Sequence, residues 1–316
     1  MLQDSNPKKV AVLMASYNGE KYIAQQIQSI LDQDVDNPIH LFVRDDGSTD
    51  NTVSIVNDII KKDDRVTLIE GTNIGAVACF FALLRMAHDL PEEYAYFSLS
   101  DQDDVWDLDK IRVAINFIEK EHSDEPILYG SITRPVNQNL EPIQHKPGTF
   151  LPFDFYNTII QIKIPGHTHV MNRALLNLVY DADPSQIYGH DALIVNAAKI
   201  RGRLIFDNKP HTSYRQHEGN QLGTAGSSKY KWVQNRIKRI KKGGGVQYAR
   251  QIEYIYNCFG DYLTAEQKDE VEKFLSSRKN FLKRLKYITR TKLYRQSKFD
   301  TSCFKLMYLF GGYNIK

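Results

Sequence analysis

Short continuous apolar runs alternate with segments in which apolar residues recur every three or four positions. Val10-Ala11-Val12-Leu13-Met14-Ala15 is one such run, the pattern of a central parallel strand covered on both faces. Ser16-Tyr17-Asn18-Gly19 breaks it. Tyr22, Ile23, Ile27, Ile30 and Leu31 then predict a helix from about Glu20 to Leu31. The cycle repeats three times. Ile39–Arg44 reads as a strand, Asp45-Asp46-Gly47-Ser48-Thr49-Asp50 ends it, and Val53, Ile55, Val56, Ile59 and Ile60 mark a helix. Val66–Ile69 is a strand, Gly71-Thr72-Asn73-Ile74-Gly75 turns, and Phe80, Phe81, Leu83, Leu84 and Met86 mark a helix. Tyr94-Ala95-Tyr96-Phe97 ends in Ser98-Leu99-Ser100-Asp101-Gln102-Asp103-Asp104-Val105-Trp106, with a helix carrying Leu108, Ile111, Ile115 and Ile118 beyond. Such alternation predicts an open parallel α/β sheet with right-handed crossovers. Ligands of such sheets bind outside the carboxyl ends of the strands. The four polar breaks fall at those ends and are expected to converge in one cleft.

Beyond Lys120 the pattern loosens. Ile127–Gly130, Ile159–Ile164 and Arg203–Phe206 read as strands, residues 134–152 as a loop, and His211–Tyr214 as a last edge strand. Helices are expected over Arg173–Tyr180 and Ala192–Ala198. Thr224–Ser228 reads as a linker, which divides the chain into an α/β domain, 1–226, and a helical region, 227–316. In the latter, Trp232, Ile237 and Ile240 precede the breaker Gly243-Gly244-Gly245. A stripe from Tyr248 to Phe259 and a helix starting near Thr264 follow.

Composition changes the picture in one respect. The net charge of +3 hides an asymmetry: 1–226 hold 20 Lys/Arg against 31 Asp/Glu, a net of −11, and 227–316 hold 21 against 7, a net of +14. A split this large marks a change of role along the chain. The three cysteines, far apart and odd in number, suggest neither a disulfide framework nor a zinc cluster. The polar N-terminus and the lack of a long apolar stretch make a cytoplasmic protein the expectation.

Asp101, Asp103 and Asp104 lie within four residues at a strand end. Like charges this close repel unless a cation or donors compensate them. A divalent ion on carboxylate oxygens, with positions left open for phosphate, is the economical solution. The competing reading for Asp104 is the N-cap of the next helix.

The motifs Ala15-Ser16-Tyr17-Asn18-Gly19, Asp45–Asp50, Asn73-Ile74-Gly75 and Asp101-Gln102-Asp103-Asp104 occur in an order and strand context that resemble the inverting family-2 glycosyltransferases of GT-A fold, over roughly residues 8–225. Ser100–Trp106 and Tyr214-Arg215-Gln216-His217 look like bacterial enzymes that extend surface polysaccharides, many of them rhamnosyltransferases. The resemblance implies a nucleotide-sugar donor, dTDP-L-rhamnose first and a UDP-hexose second, with Mn2+ or Mg2+ and a saccharide or lipid-linked acceptor. It implies Asp103 as metal ligand with Asp101 beside it, and His217 as a second metal or diphosphate contact. Arg215 would pair with the diphosphate, in a loop with Asn220. Ser16, Tyr17, Asn18, Asn73, Gly75 and Gln102 would surround the donor. One of Asp45 and Asp46 would accept the base N3–H, with Tyr17 stacking on the base or packing in the core. Gly166, His167 and Trp106 would lie on the acceptor side. Asp191 would be the general base; the family's Glu/Asp-Asp pair is here His190-Asp191, which leaves Asp191 the only carboxylate of the pair. N-capping of the following helix is its structural alternative.

The basic, aromatic tail reads as a surface for the anionic inner leaflet or for a second copy of the chain. Nucleic acid is not expected, since the tail aromatics follow helical core spacing. A sugar nucleotidyltransferase would carry a glycine-rich basic loop after the first strand. Ser16–Gly19 offers one glycine and no basic cluster before Lys21. A non-catalytic sugar-binding module would not need Asp191.

Overall fold

The computed structural model describes residues 7–143, 150–217 and 244–314. Asn220, the 224–228 linker and the Trp232, Ile237 and Ile240 stripe lie outside the described residues. The chain divides into two compact units. Of the described residues the first holds 7–143, 164–182 and 202–217, and the second holds 150–163, 183–201 and 244–314. Two segments from within 1–226 thus pack with the tail helices, so the contact units do not follow a linear cut at 226.

The first unit is built on a seven-stranded sheet. Its strands are β1 (Lys9–Ser16), β2 (Ile39–Asp45), β3 (Val66–Glu70), β4 (Tyr94–Ser100), β6 (Ile127–Ser131), β8 (Val170–Asn172) and β9 (Arg203–Asp207), in the order β3-β2-β1-β4-β8-β6-β9. Only β8 is antiparallel to its neighbours β4 and β6. The first four strands fall where the apolar runs predicted them. β1 is central: Val10, Ala11, Val12, Leu13 and Met14 are all fully buried, which is why its sequence is a run and not an alternation. On one face α1 (Ile23–Leu31) and α4 (Lys110–Glu119) bring Ile23, Ile27, Ile30, Ile111, Ile115 and Ile118 onto Val10, Val12 and Met14. On the other, α3 (Ala76–His88) lies against β1 and buries Phe80, Phe81, Leu83 and Leu84. α2 (Thr52–Ile60) crosses between β2 and β3, and α6 (Arg173–Val179) packs on β4. The strand order reverses between β1 and β4, so the crevice opens at their carboxyl ends. A small sheet, β5 (Val105–Trp106), β10 (Thr212–Arg215) and β7 (Arg134–Val136), closes over those ends.

Several expectations fail here for identifiable reasons. Ile159–Ile164 is not a strand: it follows the one-turn helix α5 (Phe155–Thr158), and Ile159, Ile160 and Ile164 are buried as turn and loop residues. An apolar run reports burial, not ladder hydrogen bonding. β10 is the middle of its sheet, not an edge, and β7 forms inside the expected 134–152 loop, where Pro135 sits in an outer strand and needs no ladder donor.

In the second unit α7 (His190–Arg201) is the central helix, with Ala192 to Ala198 all buried. A helix apolar all round belongs in a core. α5 and α8 (Gly244–Phe259) pack on it; α8 begins within the glycine triplet read as a breaker. α9 (Ala265–Ser277) starts where expected, on a capping box between Thr264 and Gln267. α10 (Phe281–Ile288) and α11 (Lys298–Leu309) complete the unit around Phe274, fully buried, whose ring meets Tyr287, Tyr308 and Tyr313 at 6.1, 5.1 and 5.9 Å. Among the described residues, no helix is long and apolar enough to cross a membrane.

Candidate active site

The loop after β1 is tied to the loops after β2 and β4. Gln102 accepts from the Tyr17 N–H at 2.9 Å and returns its amide to the Tyr17 carbonyl at 3.0 Å, as a strand would. Gly19 is required by this approach, because a Cβ there would stand 2.2 Å from the Gln102 Oε1. Asn18, at φ 49°, accepts from the Thr49 N–H at 2.8 Å and donates its own N–H to the Ser48 hydroxyl at 2.9 Å. Asp50 accepts from the Glu20 N–H at 3.1 Å and the Thr52 N–H at 3.0 Å. Ser48 and Asp50 therefore tie loop to loop. Tyr17 is 46% exposed and presents its ring to solvent.

Both Asp45 and Asp46 are buried and loaded with donors from the protein itself. Asp45 receives the Ser16 hydroxyl at 3.2 Å, the Gly47 and Ser48 N–H groups at 3.1 and 2.7 Å, and the Ser48 hydroxyl at 2.5 Å. Four donors fill the lone-pair sites of one carboxylate. Asp46 receives the Arg44 guanidinium at 2.5 Å and the Ile74 and Gly75 N–H groups at 3.0 and 2.8 Å. The paired acids thus hold the 45–50 and 71–75 loops in shape. Asn73 is exposed on the second of these, and Gly75, at φ 85°, is the N-cap of α3.

The acidic stretch divides differently from the sequence expectation. Asp104, expected to cap a helix, is fully buried, and the N-cap position of α4 is taken by Asp109. The Asp104 Oδ1 accepts the Arg215 N–H at 3.1 Å, and its Oδ2 has no hydrogen-bond partner among the described residues. His167, expected on the acceptor side, sits in the 3-10 turn Gly166–Thr168 with its Nδ1 3.1 Å from Asp101 Oδ2 and 3.7 Å from Asp104 Oδ2. Its Nε2 is likewise buried without a hydrogen-bond partner among the described residues, and its ring stacks on Tyr214 at 5.0 Å. Asp101, Asp104 and His167 each bring a ligand atom within 4.8 Å of the others. Asp103 turns away from this group to meet His217 Nε2 at 2.7 Å. The two expected metal contacts are therefore brought together, beside a second acid–histidine group whose three members carry three separate expectations in the sequence.

Electrostatics mark the same place. Burial pushes the Asp104 carboxyl up to about 7, with Asp101 and Asp103 adding to it, and burial also raises Asp103. Burial lowers the affinity of His167 for a proton, but the charges of Asp104 and Asp101 override it and hold the imidazole at about 8. Lys110 lies fully buried beneath, its Nζ 3.1 Å over the Trp106 ring and 3.4 Å from the Ser98 hydroxyl, with burial driving its pKa well down. Trp106, expected on the acceptor side, is thereby placed in the core, 3% exposed with the Lys110 ammonium over its ring.

Arg215 is also spent internally. At 2% exposure, its guanidinium donates to the Asp103 carbonyl at 2.8 Å, the Gln138 carbonyl at 2.5 Å and the Gln25 side chain at 2.7 Å, with Cζ 4.4 Å from the Tyr22 ring centroid. It braces the acidic loop.

Asp191 belongs to the second unit, in the first turn of α7, where its Oδ1 accepts the Ala192 N–H at 2.8 Å. The approach to it is held by a residue that sequence reasoning did not select: buried Gln251 of α8, whose Oε1 accepts the Tyr188 and Gly189 N–H groups at 2.8 and 3.1 Å. A lone polar residue in an apolar stripe, Ile252 and Ile255 beside it, was the available signal.

Comparison with known proteins agrees with this architecture. The sequence profile described as Glycosyl transferase family 2 matches residues 11–177, more than half the chain. The dTDP-rhamnosyl transferase RfbG of Shigella flexneri is 31% identical over 260 residues, covering 78% of this chain and 85% of that protein. Among solved structures, S. aureus TarS 1–349 in complex with UDP-GlcNAc superposes with a TM-score of 0.53 at 18% identity, covering 96% of this chain and 89% of that one. The mannosyltransferase PcManGT from Pyrobaculum calidifontis, in complex with GDP-Man and Mn2+, gives 0.51 at 14% identity, with 98% and 86% covered. At these identities the two structures speak for the fold. Fold, strand-end motifs and family profile coincide, and the chain belongs to glycosyl transferase family 2, as a glycosyltransferase of GT-A fold.

Proposed function

We propose that this enzyme is an inverting, metal-dependent transferase that moves a sugar, L-rhamnose from dTDP-L-rhamnose in the first place, to a growing surface polysaccharide or a lipid-linked acceptor at the inner face of the cell membrane. The observation that carries the metal dependence is the group of Asp101, Asp104 and His167, with a buried Asp104 oxygen and a buried His167 nitrogen that lack hydrogen-bond partners among the described residues. Two carboxylates and an imidazole within 4.8 Å suit one Mn2+ or Mg2+. Asp103 and His217 stand beside it as the diphosphate side. The ion supplies charge neutralisation to the departing diphosphate.

The chain's own residues do the rest in this reading. Asp45 and Asp46 shape the loops that receive the base, and the exposed Tyr17 ring stacks on it. Asp191 takes the proton of the acceptor hydroxyl as its oxygen bonds to the anomeric carbon and the bond to the diphosphate oxygen breaks on the opposite face. Gln251 positions the turn that leads into Asp191. The donor assignment is supported by the likeness to RfbG over most of both chains.

The test is donor hydrolysis measured over dTDP- and UDP-sugars with Mn2+, with Mg2+ and with chelator. Turnover is expected to be highest with dTDP-L-rhamnose and to stop with chelator. Hydrolysis indifferent to metal with every donor refutes the metal reading, and a UDP-hexose preference refutes the donor. Asp191→Asn is expected to bind donor and to lose transfer; near-normal transfer by that variant removes the base assignment.

A further inference from the structure

The second unit carries a helix with three different faces. At about 100° per residue, the residues of α10 fall into separate sectors. The inward sector holds Tyr287, whose hydroxyl donates to Glu270 at 2.7 Å, and Arg284, which donates to the Leu309 and Arg278 carbonyls at 2.8 and 2.6 Å. The next holds Phe281, Leu282 and Leu285, which are 49%, 71% and 41% exposed. The third holds Lys283 and Lys286, with Lys279 before the helix and Arg290 after it in line, all exposed. None of these four cations makes an ion pair among the described residues. Phe310, 77% exposed, extends the apolar sector: it follows Leu309, whose carbonyl Arg284 holds, and the Arg284 Cζ lies 6.0 Å from the Phe281 ring centroid. Residues 278–295 contain eight Lys/Arg and no Asp/Glu.

Single exposed apolar side chains are ordinary, but several on one helix face, rimmed by cations without counterions, mark a contact surface. We propose that α10, with Phe310, docks the enzyme on an anionic lipid bilayer, the helix lying in the plane of the headgroups. The acyl boundary takes Phe281, Leu282, Leu285 and Phe310, and the surface potential of an anionic leaflet takes Lys279, Lys283, Lys286 and Arg290. Their apolar stems lie along the same boundary while the charges reach the headgroups. A second copy is the poorer occupant, because a twofold contact sets this patch against itself, cation against cation. The inference rests on the lipid-linked acceptor reading and gives it a surface.

Flotation of the full-length protein with vesicles of phosphatidylcholine, with and without phosphatidylglycerol, tests it at low salt and without donor. The protein is expected to float only with phosphatidylglycerol and to be released by added salt. Phe281→Ser, Leu282→Ser and Leu285→Ser together should weaken partitioning about tenfold or more. Lys283→Gln and Lys286→Gln should each weaken it about fivefold. All variants should keep the wild-type melting temperature and the wild-type hydrolysis of soluble donor. Failure of the wild type to bind phosphatidylglycerol vesicles overturns the proposal. Unchanged binding by the triple serine variant does so too, as does a wild-type dimer in light scattering that the triple variant dissolves. Donor hydrolysis without lipid reports separately on the catalytic reading, so the two fail independently.

Discussion

The proton held in the acid–histidine group should be visible in the stability of the metal-free enzyme. His167 titrates near 8 in the folded chain because Asp104 and Asp101 hold its positive form against burial; in the unfolded chain it returns to 6.5. A folded value above the unfolded one means that the stabilisation is complete below 6.5 and is lost as the pH rises through 8. The difference corresponds to about 2 kcal/mol, or about 4–8 °C in melting temperature for a unit of 150–250 residues. Asp104, raised towards 7, has the same sign and most of its loss lies at lower pH. Lys110, driven down by burial, has the opposite sign, gaining stability as the pH rises from its folded value towards 10.5. The comparison that isolates the pair is therefore wild type against His167→Gln/Asp104→Asn in chelator, by thermal unfolding from pH 6 to 9. Both sites are changed because removing His167 by itself would push Asp104 higher. The amide oxygen introduced by Asp104→Asn keeps an acceptor for the Arg215 N–H. The wild type should lose about 4–8 °C more than the double variant across this range. Parallel curves would refute the coupling. Mn2+ should reverse the trend in the wild type, raising the melting temperature more at pH 8 than at pH 6, because the ion displaces the proton.

Three further outcomes follow from single contacts in the fold. Gln251→Ala leaves two half-buried N–H groups ahead of Asp191 without their acceptor, at about 1 kcal/mol each; steady-state kinetics should show a fall in kcat with little change in donor KM. Gly19→Ala drives the Gln102 amide from Tyr17 and forfeits two hydrogen bonds, about 1–3 kcal/mol in all, measurable by chemical denaturation. Adding Gln102→Ala should cost little more, since the clash and the bonds are then gone together, and full additivity would contradict the contact. Gly202→Ala would set a Cβ 1.9 Å from the Pro126 carbonyl oxygen. A backbone atom cannot swing aside as a side chain does, so a loss of about 1–3 kcal/mol is expected by calorimetry.

Much of this protein was determined by its sequence. Val10–Ala15 and the runs of β2 and β4 are apolar because they are inner strands, and burial on both faces leaves no alternation to misread, while the run of β3, at the sheet edge, buries only Val66. The polar breaks lie at strand ends because the chain must leave the core there, and the order of those breaks carries the family. What the linear pattern could not decide is which side chains meet. Asp103 and Asp104 are neighbours, yet one turns to His217 and the other to His167, and the choice is made by β10 and by the turn at 166–168, far away in the chain. Apolar composition at 159–164 reported burial but not the hydrogen-bonding partner, so a loop passed for a strand. Charge counting found the basic tail, while the division of α10 into inward, apolar and cationic sectors depends on which side Tyr287 and Arg284 turn to Glu270 and Leu309. Local periodicity encodes whether a residue is buried; only long-range packing decides against what, and the chemistry of the acid–histidine group is a property of those meetings.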